Sequence, residues 1–123
     1  MEDGHEEDAV TQGMRTVIYP VRDLERAKER FTALLGVTPY MDTPHYVGFS
    51  IGGQDIGLDP NGHEHGMTGP VGYWHVDDVG SALRALVDAG SEEVHPVRDV
   101  GGGKLVASVT DPDGNVLGLI QSG

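Results

Sequence analysis

At 123 residues the chain is long enough for one ordinary domain with its own apolar core, and its formal charge of −12 argues against a nucleic-acid or anionic-membrane partner. It has no cysteine, which excludes disulfides, thiolate catalysis and zinc–thiolate centres. No apolar run approaches the roughly 18–20 residues that span a bilayer, and the acidic start does not read as a secretory signal, so a cytoplasmic protein is expected.

Five of the 20 acidic residues (Glu2, Asp3, Glu6, Glu7 and Asp8) fall in the first 13 positions, which hold no Lys or Arg. Residues 1–13 are therefore predicted to be a disordered acidic tail, with His5 solvated. From Arg15 to Val21 the chain is rich in β-branched residues and reads as a strand ending near Pro20. Asp23 is placed to cap a helix whose apolar stripe is Leu24, Ala27, Phe31, Leu34 and Leu35, with Gly36 as its terminator. Three strands follow, at Thr38–Asp42, His45–Ile51 and Gln54–Leu58, the last entered through Gly52-Gly53. A polar segment with Pro, Gly, Asn and His then leads to residue 70.

The pattern restarts there. Val71–Val76 reads as a strand, Asp78 as a cap, and Val79, Ala82, Leu83, Leu86 and Val87 as a helical stripe ending at Gly90. Strands are predicted again at Val94–Val97, Leu105–Thr110 and Val116–Gln121. The last is entered by the turn Asp111-Pro112-Asp113-Gly114-Asn115, where Pro fixes φ and Gly114 and Asn115 tolerate a left-handed backbone. Gly101-Gly102-Gly103 joins two strands rather than opening a helix, which argues against a phosphate-cradling loop. Val21-Arg22-Asp23 matches Val76-Asp77-Asp78, Gly36 matches Gly90, and Gly53–Leu58 matches Gly114–Leu119. The chain thus reads as one α+β domain over residues 14–123. It holds two tandem βαβββ modules (14–60 and 71–121, with a linker over 61–70) that pair their bare sheet faces into a half-open, barrel-like cleft.

This duplicated unit resembles the vicinal oxygen chelate superfamily, which includes glyoxalase I, the bleomycin-resistance proteins and the extradiol dioxygenases. The residues that carry the likeness are Val21-Arg22-Asp23-Leu24 with Leu34-Leu35-Gly36, Val76-Asp77-Asp78-Val79 with Ala89-Gly90, and Asp111 to Asn115. The resemblance implies a small organic ligand in the cleft, and modules paired within one chain or across a homodimer. In metal-dependent members the ion is held by His, Glu or Gln from the first and last strand of each module. Here those positions hold Thr16, Gly57, Val71 and Gly118, which lack the carboxylate and imidazole donors a divalent ion needs. No metal and no cofactor are therefore expected.

Strand alternation turns Thr16 and Ile18, and likewise Val71, Tyr73 and His75, to the cleft. The family register adds Tyr46, Gly48 and Ser50 from the first module and Val106, Ser108 and Thr110 from the second. Gly57 and Gly118 would floor the pocket and leave room where a chelated ion would otherwise sit. The expected ligand-binding residues are Thr16, Ile18, Tyr46, Ser50, Gly57, Tyr73, His75, Ser108 and Gly118. His75 is the candidate for catalysis, because imidazole titrates near neutral pH; its plain alternative is a satisfied histidine at the rim. His63-Glu64-His65 has a metal-like look but lies in a Gly-rich linker. Asp55, His95 and Asp99 are residue types that a displaced metal site would use, but no spacing recommends them. Trp74 should face the helix and pack in the core, and the carboxylates of Asp23, Asp78, Asp111 and Asp113 are explained by caps and turns. The expectation is a metal-independent small-molecule binding protein. The alternatives are a metal-dependent lyase, isomerase or dioxygenase with displaced ligands such as His75 with His45 or His63, and an accessory subunit.

Overall fold

The computed structural model describes residues 11–122, so residues 1–10 of the expected tail lie outside the described residues. The described residues form two compact units, one over Arg15–Gly72, the other over residues 73–122 together with residues 11–14. The elements are β1 (Thr11–Pro20), α1 (Leu24–Leu35), β2 (Met41–Thr43), β3 (Tyr46–Ile51), β4 (Gln54–Asp59), β5 (Val71–Val76), α2 (Val79–Asp88), β6 (Glu92–Asp99), β7 (Leu105–Thr110) and β8 (Val116–Gln121). This is the mixed α+β arrangement that the sequence pattern implies, with eight strands and two α-helices among the described residues.

In the first unit the strand order is β2-β3-β4-β1, with β1 and β4 parallel and the other neighbours antiparallel. Asp23 caps α1, its carboxylate accepting from the Arg26 amide at 3.1 Å. Gly36 ends the helix in a left-handed conformation (φ 74°) that a β-carbon would oppose, and its amide donates to the Thr32 carbonyl. The apolar face of α1 covers one face of the sheet. Val47, Phe49 and Leu58 are fully buried there with Ala27, and Tyr19 and Phe31 pack ring to ring at 5.0 Å.

The second unit repeats the plan as β5-β8-β7-β6, with β5 and β8 parallel. Asp78 caps α2 by accepting from the Ser81 amide at 3.1 Å. Its core is Val76, Val79, Leu83, Ala107, Val109 and Leu119. In each unit alternation sends every second residue of the inner strands to the helix and the rest to a face the helix does not cover.

Four expectations need correction. β1 begins at Thr11, so residues 11–13 belong to a strand rather than the tail. The Thr11 hydroxyl donates to the His75 carbonyl (2.7 Å), and the Gln12 amide donates to the Asp77 carboxylate (3.0 Å). Leu34 and Val87, placed in the helical stripes, are exposed. At 100° per residue they lie roughly 65° and 90° from the centre of their stripes, at the margin of the buried arc. Trp74 is 37 % exposed rather than core, because α2 packs over β6, β7 and β8 and leaves the β5 side of that face thinly covered. The linker contains a 3-10 turn at His63–His65. Among the described residues no helix is long and apolar enough to cross a membrane.

Candidate functional site

The helix-free faces carry the residues that the sequence singles out, and the strand registers order them into rows. In the first unit one row runs Ile18–Gly57–Gly48–Met41 across β1, β4, β3 and β2. A second row runs Thr16–Asp55–Ser50. Thr16 is buried, Ile18 and Asp55 are half-buried, and Ser50 is exposed at the end of its row.

The two glycines of the first row are not open floor. A β-carbon on Gly57 would collide with the hydroxyl end of Tyr46, so that ring lies directly over the glycine. A β-carbon on Gly48 would come within 3.1 Å of the hydroxyl end of Tyr40. An aromatic ring laid over a cross-strand glycine covers backbone that the missing side chain leaves bare. Partial burial pushes the Tyr40 phenol up from its ordinary value, and the negative Asp55 nearby adds to that, so Tyr40 stays neutral and able to donate a hydrogen bond. Tyr40 was not among the expected site residues, and its neighbour across the strand, Gly48, is the one sequence sign of it.

In the second unit the equivalent row runs Tyr73–Gly118–Ser108–His95 across β5, β8, β7 and β6. The Tyr73 ring covers Gly118, where a β-carbon would lie 2.5 Å from Cδ2. Ser108 is buried, and its Oγ lies 3.0 Å from Nδ1 of His95. The hydroxyl donates to the imidazole in one tautomer and accepts from it in the other. His75 stands in the adjacent row beside Ile120 and is half-buried. The structure thus brings Tyr73, Ser108 and Gly118 into one row and adds His95, which the sequence reading passed over. His45 is exposed, and Nδ1 of His63 is buried with no hydrogen-bond partner.

The residues at the superfamily's metal positions do not fit a divalent ion. Gly57 and Gly118 have no side chain, Val71 has no donor, and Thr16 has one hydroxyl. The volume above both glycines holds tyrosine, correcting the expectation that it is left open. Among the described residues no three of His, Cys, Asp and Glu come together as a ligand set. A separate open depression of about 520 Å³ lies between α1 and β2, beside Lys28, Thr32, Pro39 and Asp42. None of the expected ligand-binding residues lines it. Lys28 bridges Asp42 at 3.1 Å and Glu25 at 3.2 Å, and its ammonium is held charged chiefly by the bond to Asp42.

The family model of the Glyoxalase/Bleomycin resistance protein/Dioxygenase superfamily matches residues 13–119. A comparison with curated protein sequences finds no match. Among solved structures the chain is similar to methylmalonyl-CoA epimerase from Mycobacterium tuberculosis, with a TM-score of 0.75 and 17 % identity over 94 % of this chain and 91 % of that one. It is also similar to an NAD-dependent benzaldehyde dehydrogenase from Legionella pneumophila, at 0.72 and 19 % over 88 % and 98 % of the two chains. A third likeness is to a glyoxalase/bleomycin resistance protein/dioxygenase superfamily member from Vibrio splendidus 12B01, at 0.65 and 18 % over 86 % and 95 %. At these identities the likenesses establish the fold.

Proposed function

Because the chain belongs to the Glyoxalase/Bleomycin resistance protein/Dioxygenase superfamily, yet carries no donor set at the superfamily's metal positions, we propose that it binds a small organic molecule without a metal ion. The observation that carries this reading is the pair of tyrosine–glycine contacts. Tyr46 over Gly57 and Tyr73 over Gly118 put aromatic surface where a metal enzyme would present carboxylates. Aromatic walls with a few placed hydroxyls suit an uncharged or weakly polar ligand. Thr16, Ile18, Tyr46, Ser50, Tyr73, His75 and Ser108 are the proposed contact residues, Gly57 and Gly118 acting through the tyrosines laid over them, and His75 supplies the imidazole for any transformation of the ligand.

The test is a thermal-shift panel of aromatic metabolites and antibiotics on untagged protein in buffer containing a chelator. At least one compound should raise the melting temperature in a concentration-dependent way, following the mass-action relation between free ligand and its dissociation constant. Stabilisation that appears only when a divalent ion is restored would contradict the reading.

A further inference from the structure

His95 owes its place to two irregularities in β6. The hairpin of β6 and β7 pairs Asp99 with Leu105 and Arg98 with Val106 at its closed end, and Glu92 with Thr110 and Glu93 with Val109 at its open end. Counted regularly from the closed end, His95 would oppose Val109; counted from the open end, it would oppose Ala107. Both are core residues under α2. Register shifts on either side, between Glu93 and His95 and between His95 and Arg98, set it opposite Ser108 instead. A slip of one residue sends a side chain to the opposite face of a sheet, and bulges are a common means of aiming a single side chain at a site. A regular hairpin would have put an imidazole into the apolar core. The two shifts take it to the helix-free face and into a 3.0 Å hydrogen bond with Ser108.

We infer that the His95–Ser108 pair is the polar anchor of the ligand site in the second module, donating a hydrogen bond to the carbonyl or carboxylate oxygen of a small molecule. With the Ser108 hydroxyl donating to Nδ1, the imidazole proton sits on Nε2, the ring atom turned away from the serine, and that N–H is available to an acceptor oxygen. His95 is half-buried rather than fully enclosed. Gly118, under the Tyr73 ring, lies two strands from His95 in the same row, roughly 10 Å away at the usual strand spacing. An aryl or short-chain acid, ketone or amide matches that span, with its oxygen at His95 and its apolar body against Tyr73. The inference rests on the small-molecule reading above, places its polar contact at one end of one row, and adds the carboxylate to the uncharged ligands which that reading favours.

The experiment uses the full chain, with nitrogen-15 NMR of the His95 ring during titration with acetophenone, with benzoate, and with cumene, an isostere of similar shape without the oxygen. Acetophenone or benzoate should move the His95 ring signals saturably while cumene does not; a response to benzoate alone assigns a carboxylate, and a response to both assigns the oxygen acceptor. Ser108→Ala and His95→Leu should each weaken that binding about five- to tenfold, the effect of one hydrogen bond. Unmoved ring signals with both oxygen-bearing probes overturn the anchor, and the wild-type titration needs no variant to fold. If a compound from the thermal-shift panel stabilises wild type and both variants equally, the anchor is wrong while the binding reading stands. If no compound stabilises wild type, both fall together.

Discussion

Glycine has two uses in this chain, and the difference matters at the scale of single residues. Gly36 is needed for its backbone, which turns left-handed to end α1. Gly57 and Gly118 sit in strands and are needed for their missing side chain, which lets a tyrosine come close to the strand backbone. Gly118→Ala would thrust a methyl to 2.5 Å from the Tyr73 ring and is expected to lower stability by about 1–3 kcal/mol, the usual cost of overpacking. Urea unfolding should show the loss largely relieved when Gly118→Ala is combined with Tyr73→Ala, since the two groups share one space. Strictly additive effects would mean that the ring and the glycine do not meet.

At the scale of the elements, one cap carboxylate and one turn carboxylate contribute to the pH response. Asp111 organises the turn before β8, accepting from the Asn115 side chain (3.0 Å) and from the amides of Asp113 and Asn115 at 2.9 and 2.8 Å. These bonds, the Asn115 side chain first, hold its carboxyl below the ordinary value; the Ser81 amide does the same for Asp78 at the start of α2. A carboxyl depressed in the folded state stabilises it fully above the unfolded-state pKa of about 3.9, and that stabilisation is lost as pH falls through the lower folded value. Thermal scans from pH 7 to pH 2 should therefore show Asp78→Ala/Asp111→Ala less stable than wild type at neutral pH, with the gap narrowing on the acid side. A gap of constant width would show that neither carboxylate is engaged in the folded protein.

Much of this level was legible in the sequence. Asp23 and Asp78 followed by helical stripes, Gly36, and the Asp111–Asn115 turn located both helices and β8 because each depends on local chemistry. Leu34, Val87 and Trp74 were not placed correctly, because their burial depends on which strands a helix crosses. His95 was missed for a sharper reason. Its face is decided by two shifts in the pairing of β6 with β7, and alternation along one strand carries no record of them. Tyr46 and Tyr73 stand beside Gly57 and Gly118. That each would lie over a glycine depends on neighbouring strands brought together from distant parts of the chain.

Across the whole molecule, two units are built on one plan, each with its own core and its own helix-free sheet face. The resemblance puts the donors of metal-dependent members on the first and last strands of such modules, and at those positions this chain has Thr16, Gly57, Val71 and Gly118. Fold alone therefore does not carry a glyoxalase or dioxygenase reaction over to it. On the proposed reading, the tyrosines laid over glycines and the serine–histidine pair would recognise an organic ligand by shape and by single hydrogen bonds.

The most direct test of that claim is elemental analysis, by mass spectrometry, of untagged protein purified without chelators and then equilibrated with Mn²⁺, Ni²⁺ and Zn²⁺ before desalting. The account predicts far less than one ion per chain for each metal, with no change on Gly57→Ala or His75→Ala. One tightly held ion per chain, lost when His75 is replaced by alanine, would contradict it.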